Sequence, residues 1–231
     1  MKIDIWSDIM CPFCYIGKRK LEGALQGFEH KDDVEITWHS FQLDPTMKYE
    51  PGISIHDYLA ERKGQTREWS VKMHQQMTEN AKREGLTYNF DKAVIANSFD
   101  AHRLIQLAKT HSLGDTAEER LFKAYFTDGK NMSDHTTLIE LGREIGLDEN
   151  EVADMLRGDA FAGAVQQDIA QAQIYGINGV PFFVLDNKYG ISGAQPKEVF
   201  QQALQQAWAE GYPVATQDEA DGAVCIPGGD C

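Results

Sequence analysis

Trp6-Ser7-Asp8-Ile9-Met10-Cys11-Pro12-Phe13-Cys14 is the stretch whose reading decides the fold. Before it, Lys2-Ile3-Asp4-Ile5 alternates polar and apolar residues, with Ile3 and Ile5 on one face, as a strand does. After it, Leu21, Leu25 and Phe28 recur at helical spacing, and Gly27 stands near their end. A strand therefore runs out, turns, and a helix begins at or near Cys11. Pro12 suits a first helical turn, where its missing N–H leaves nothing unpaired. Free backbone N–H groups and the positive end of the helix dipole meet at that turn. A thiolate there is stabilised, so Cys11 is expected to ionise readily and to act as the nucleophile. Cys14 lies one turn on along the same face and is expected to be the more buried, resolving thiol.

Val34 to Phe41 is rich in β-branched and aromatic residues and reads as a second strand. Strand, helix and strand then form a right-handed parallel crossover. From about Asp44 to Tyr175 the pattern is helical. Trp69, Met73, Met77 and Ala81 form a stripe closed by Gly85, with Met73 and Met77 expected in the core. Asn97 to His111 reads as another helix. Thr116 with Glu119, and Asp148 with Glu151, have capping-box spacing, and Asp134 is a third expected cap. Phe161, Val165 and Ile169 mark a last helix that stops at Gly176.

Strand character returns in Gly179-Val180-Pro181-Phe182-Phe183-Val184. Asp186-Asn187-Lys188 is turn material, so Tyr189 to Ser192 pairs back as a hairpin. Pro196 opens a final helix with Val199, Phe200, Ala203, Leu204, Ala207 and Trp208 on one face, ending at Gly211. The expected fold is α/β: a thioredoxin-like four-stranded mixed sheet, residues 1–43 and 176–211, with an all-helical insertion at 44–175. Residues 212–231 are expected to form a flexible tail. Proline at the mouth of an apolar strand cannot donate to a sheet and suits a cis bond in a tight turn. That turn is expected beside Cys11. The main chain of Val180 would pair with an extended substrate, Pro181 would shield the sulfurs, and Pro12 and Phe13 would complete the contact surface.

The chain has 231 residues, 42% hydrophobic and 25% charged, which is enough apolar material for a core. Its 36 acidic and 22 basic residues leave a net charge of −14, which disfavours nucleic acid and anionic lipid. Neither a leader nor the ~20 consecutive apolar residues of a membrane helix is read in the sequence. The expected location is the cytoplasm, where paired cysteines are more often catalytic, redox-sensing or metal-binding than structural. The four cysteines form two pairs, Cys11/Cys14 and Cys225/Cys231, at opposite ends of the chain. Extended at about 3.3 Å per residue, the stretch from Tyr212 to Cys225 reaches about 40 Å. Cys225 and Cys231 are therefore read either as an auxiliary redox pair that exchanges with Cys11 or as an inert tail pair.

Cys11-Pro12-Phe13-Cys14 after the first strand, the long helical insertion, Val180-Pro181 opening the third strand and the late Ser192-Gly193-Ala194-Gln195 loop resemble the DsbA-like thioredoxin-fold family. Within it the chain is most similar to the FrnE-type subgroup, and Asn97-Ser98-Phe99-Asp100-Ala101-His102-Arg103-Leu104 is a further likeness. The resemblance implies a cytoplasmic thiol–disulfide oxidoreductase with Cys11 as nucleophile, Cys14 as resolving cysteine and Pro181 as the cis-proline. No cofactor is implied beyond the redox-active disulfide, with a thiol such as glutathione as a co-substrate. The partners implied are thiol and disulfide substrates, whether protein or small molecule. Phe13 stands where the periplasmic oxidases have histidine, so a cation that would stabilise the thiolate is missing. A couple less oxidising than about −120 mV is expected.

Three other readings use the same residues. A glutathione-dependent kappa-type isomerase or transferase resembles the same inserted fold but uses serine at the position of Cys11. Four cysteines make a structural zinc centre in principle, although one pair opens a helix and the other sits on a tail. A non-catalytic binding module leaves the cysteine motif without a purpose. The seven histidines show no metal spacing. His39 and Trp38 are expected to pack against the sheet with Phe41, and Asp8 to serve the turn more than to tune Cys11.

Overall fold

Strand β1 (Lys2–Ser7) leads through the cysteine turn into helix α1 (Pro12–Gln26) and strand β2 (Glu35–Ser40). The computed structural model describes residues 1–211; the tail expectation and the pair Cys225/Cys231 lie outside the described residues. Between β2 and the next strand come α2 (Ile55–Lys63), α3 (Arg67–Arg83), α4 (Phe99–Thr110), α5 (Gly114–Lys123), α6 (His135–Glu144), α7 (Glu149–Arg157) and α8 (Ala162–Ile174). The chain then closes with β3 (Phe182–Leu185), β4 (Tyr189–Ser192) and α9 (Lys197–Gly211). The sheet order is β2-β1-β3-β4, with β1 parallel to β2 and antiparallel to β3. Ile5 faces Trp38 on one side and Phe183 on the other. This is the expected four-stranded mixed sheet carrying a helical insertion.

The alternation in β1 implied one buried face, yet every residue from Ile3 to Ser7 is buried. Ile3 and Ile5 pack with Leu21, Phe183, Phe200 and Leu204 under α1 and α9. Trp6 packs with Ala172, Ile177 and Val184 beneath α8. The insertion therefore covers the face that the sequence left to solvent. The largest core joins Leu104, Leu121, Phe122 and Phe126 of the insertion to Cys11, Cys14, Tyr15 and Ile16 of α1. At about 1.5–3 kcal/mol for each large apolar side chain buried, this contact holds the cysteine end of α1 in place.

Asp134 and Asp148 cap α6 and α7 as expected, by accepting from the Thr137 N–H and from the Asn150 and Glu151 N–H groups. The Thr116–Glu119 box does not form. Ser112 takes a left-handed turn (φ 59°), which reverses the chain early, and α5 starts at Gly114. Glu119 goes instead to Tyr15 and Arg19. Glu151 does not close a box on Asp148 either; its carboxylate meets His111 Nε2 at 3.1 Å. Val199 is exposed rather than part of the buried face of α9, which begins one residue after Pro196.

Candidate active site

Asp8 builds the turn that presents the cysteines. Its carboxylate accepts from the Met10 N–H (3.2 Å) and the Leu43 N–H (2.8 Å), and its carbonyl accepts from the Cys11 N–H (2.9 Å). Cys11 is the N-cap of α1 in extended backbone geometry, with Pro12 in the first turn and no side-chain cap. Among the described residues no side-chain oxygen caps this first turn, and the Cys14 N–H donates to the Cys11 carbonyl at 3.0 Å. Cys11 and Cys14 are both free thiols. The Cys11 Sγ donates to the Val180 carbonyl at 3.4 Å, and the Val180–Pro181 peptide bond is cis. Gly17, on the next turn of α1, lets this loop approach. A Cβ there would stand 3.0 Å from Pro181 Cγ and 3.1 Å from Phe183 Cζ.

Cys14 is marginally the more buried of the two thiols, as expected, but Cys11 is covered as well. Their exposures are 2% and 1%, while Phe13 between them is 46% exposed. The insertion is the reason, because it packs directly on the turn. The Tyr88 hydroxyl donates to the Pro12 carbonyl at 2.7 Å, and its ring stacks on Phe126. Burial holds the Tyr88 hydroxyl protonated, and the neighbouring Cys11 and Cys14 reinforce this. Burial also pushes the Cys14 thiol well up, and Cys11 adds to the shift; the Asp8 backbone and Ser7 pull the other way.

Cys11, Pro12, Phe13 and Val180 open onto an apolar groove of about 430 Å³. Its far wall is the α2–α3 hairpin with Tyr58, Leu59, Trp69 and Met73. Met73 was expected in the core but lines this groove. Met77, one turn later, is in the core and also reaches the groove floor. A larger cavity of about 740 Å³ lies on the other side of His74 and Phe90 and touches neither cysteine.

His39 is tied down away from the sulfurs. Its Nδ1 meets Asp168 at 2.8 Å, its Nε2 meets Asp4 at 2.7 Å, and its ring stacks on Trp6. Asp168 also accepts from the Ser40 N–H (2.9 Å) and from Gln106 (2.6 Å). Burial works against the charge on Asp168, but His39 and the Ser40 N–H outweigh it and hold the carboxyl below its ordinary value. Trp38 packs in the core under α1, and Phe41 packs on the opposite face with Trp6. Among the described residues no group of three or more His, Cys, Asp or Glu side chains gathers at a metal position.

Sequence reasoning missed Gly17, Tyr88 and a buried trio: Ser7, His102 and Glu118. Each of the trio is 1% exposed. Burial raises Glu118 to about 7. A signal existed, since Glu118 precedes Leu121 and Phe122 by three and four residues and so shares their apolar stripe. For His102 no such signal was available, because every residue from Ala101 to Ala108 is buried and α4 shows no polar face there.

A family model described as DSBA-like thioredoxin domain matches residues 2–205. The chain belongs to this family. A probable DsbA oxidoreductase from Streptomyces coelicolor superposes with a TM-score of 0.87 at 39% identity, covering 99% of this chain and 100% of that one. Among curated proteins, Bacillus subtilis YwbO, described as uncharacterized, is 28% identical over 87% of this chain and 94% of its own. The cytosolic disulfide reductase DsbM from Pseudomonas aeruginosa shares the fold at TM-score 0.61 and 18% identity, with 89% and 98% of the chains covered. A structure of that reductase with GSH is also similar, at TM-score 0.58. As a member of the DSBA-like family the chain is a thiol–disulfide oxidoreductase. Among the described residues no helix is long and apolar enough to cross a membrane.

Proposed function

We propose that the protein is a cytoplasmic oxidoreductase of the FrnE type that reduces or exchanges disulfides through Cys11, with Cys14 as resolving thiol. The observation that carries this is the placement of Cys11: a free thiol at the N-cap of α1, bonded to Val180 O beside Pro181. In the reductive direction the Cys11 thiolate attacks a substrate disulfide and one substrate sulfur leaves as a thiolate. Cys14 then attacks Cys11, the mixed disulfide breaks, and the second substrate thiolate departs. The main chain of Val180 pairs with the substrate, and the exposed Phe13 ring with Pro12 covers it. Replacing Cys11 with serine abolishes turnover of a dithiol-linked disulfide substrate. Replacing Cys14 with serine traps partners on Cys11, where mass spectrometry identifies them. Activity that survives Cys11→Ser would select the kappa-type isomerase or transferase reading instead.

The absence of a cation at Phe13 supports a reducing role, and the GSH bound by a protein of the same fold supports a small thiol as co-substrate. A measured potential well below about −120 mV is the expected result. The tail pair Cys225/Cys231 acts as an auxiliary couple in this scheme. Serine at both positions then changes recycling by at least one reductant while leaving the first attack by Cys11 intact.

A further inference from the structure

Lys20 and Arg83 line a second, smaller pocket beside the cysteine turn, and nothing described so far uses them. The pocket, about 210 Å³, runs along the ridge of α1 over Ile16, between the C-terminal end of α3 and the loop after β4. Phe13 borders both this pocket and the apolar groove. Ala194 forms the rim, and its loop is tied to the cis-proline turn by the Gly193 N–H, which donates to the Pro181 carbonyl at 2.8 Å. Lys20 Nζ donates to the Ala194 carbonyl at 2.9 Å, which fixes the ammonium in the wall and leaves its other protons for a ligand. Among the described residues every arginine except Arg83 lies against a carboxylate, and Arg83 makes neither an ion pair nor a side-chain hydrogen bond. Among the described residues lining the pocket Glu84 is the one carboxylate, and no ion pair joins it to either cation. In the groove, by contrast, Arg62 is held by Asp44. A chain of net charge −14 thus keeps two uncommitted cations beside its reactive turn.

We propose that Lys20 and Arg83 form a carboxylate subsite that selects protein disulfides carrying an acidic residue about three positions from the reactive cysteine. This rests on the assignment of Cys11 as the thiol that exchanges with substrate. Lys20 stands two turns beyond Phe13, about 10 Å along the axis of α1. An extended peptide covers that distance in about three residues. A substrate strand laid along Val180 brings its cysteine to Cys11, one flank to the apolar groove and the other to the cations. Arg83 offers a fork for two carboxylate oxygens, and Lys20 adds a fixed point charge. The acidic remainder of the surface repels such a segment, so attraction is confined to this pocket and orients the substrate. An exposed ion pair contributes little by itself, so the subsite ranks substrates against one another and leaves the bulk of binding to the main chain and the groove. Neither cation touches the reacting sulfurs, and both are specificity residues.

The test uses the full-length chain with Cys14→Ser, Cys225→Ser and Cys231→Ser, which keeps Cys11 as its only thiol. Reaction with 2,2′-dithiodipyridine loads Cys11 with an uncharged thiopyridyl group. Acetylated and amidated peptides then present Glu, Gln or Lys three positions before or after a cysteine. The peptide thiolate attacks the Cys11 sulfur, the bond to the thiopyridyl sulfur breaks, and 2-thiopyridone leaves and is read by absorbance. Each rate is divided by that of the same peptide with free 2,2′-dithiodipyridine, which removes differences in thiol pKa. On one side of the cysteine the Glu peptide is expected to react about fivefold or more faster than the Lys peptide at low salt. The ratio falls toward one in about 0.5 M salt. Arg83→Gln and Lys20→Gln each lower it by about twofold or more, and Arg83→Glu with Lys20→Glu inverts it. Glu84→Gln raises it. A parent that prefers Lys on both sides, as its net charge alone would dictate, overturns the proposal, and this reading needs no variant. Arg83 dependence with glutathione but not with the acidic peptide assigns the pocket to a small anionic thiol and also overturns it. If Cys11 fails to load, or no peptide releases thiopyridone, the assignment of Cys11 as the exchanging thiol falls, and this proposal with it.

Discussion

Asp168 and Glu118 are both carboxyls that the helical insertion buries against the sheet, and the structure treats them in opposite ways. Asp168 has His39, the Ser40 N–H and Gln106 around it and is held in its charged form. Glu118 has one oxygen without a hydrogen bond among the described residues, and burial raises its carboxyl to about 7. A charge with three partners ties α8 to β2 and contributes to stability. A charge without them costs stability and stays free to exchange a proton at neutral pH.

Removing Asp168 breaks this contrast most severely. Asp168→Ala leaves His39 and the Ser40 N–H without their buried acceptor, with an expected loss of about 3–5 kcal/mol in urea unfolding. The Asp168 carboxyl is lowered from 3.8, so its contribution is present above that value and disappears as pH falls through the lower folded value. Asp168→Asn flattens the acid limb of the stability curve.

Glu118→Gln moves in the other direction. The carboxyl is raised from 4.5 to about 7, so the folded state holds the proton more tightly than the unfolded chain. Stability therefore falls as pH rises from about 4.5 to 7, by up to about 3 kcal/mol at 1.36 kcal/mol per unit. Denaturant titrations between pH 4 and 8 are expected to lose that slope in the variant, which becomes the more stable protein above pH 7.

Smaller changes test how closely the two halves meet at the cysteines. Gly17→Ala drives a methyl against Pro181 and Phe183, with an expected cost of about 1–3 kcal/mol. It also slows mixed-disulfide formation at Cys11, as stopped-flow thiol kinetics would show. Tyr88→Phe removes only the bond to the Pro12 carbonyl and is expected to cost about 1 kcal/mol in urea unfolding.

Much of this was legible in order of sequence. The alternation of Lys2 to Trp6, the stripe Leu21, Leu25 and Phe28, and the hairpin at Asp186-Asn187-Lys188 rest on local periodicity and turn chemistry. The structure places each element there. The cysteine turn was visible for the same reason, since helix starts and prolines act within a few residues. Glu118 and Glu119 illustrate the limit. They are identical neighbours in sequence, yet one is 1% exposed while the other is less deeply buried and pairs with Arg19 and Tyr15. A hundred-degree step round a helix separates them, and what lies on each side comes from distant chain.

The sequence by itself determined the strand and helix order, the pairing of Cys11 with Cys14 across one helical turn, and Pro181 at the mouth of β3. These depend on backbone preference and on spacing, which are local. Only the tertiary structure decided that both sulfurs lie covered, that β1 is buried on both faces, and that Glu118 of the insertion is buried. Burial and the dielectric around a charge are properties of what packs from elsewhere in the chain, and no window of neighbouring residues contains them.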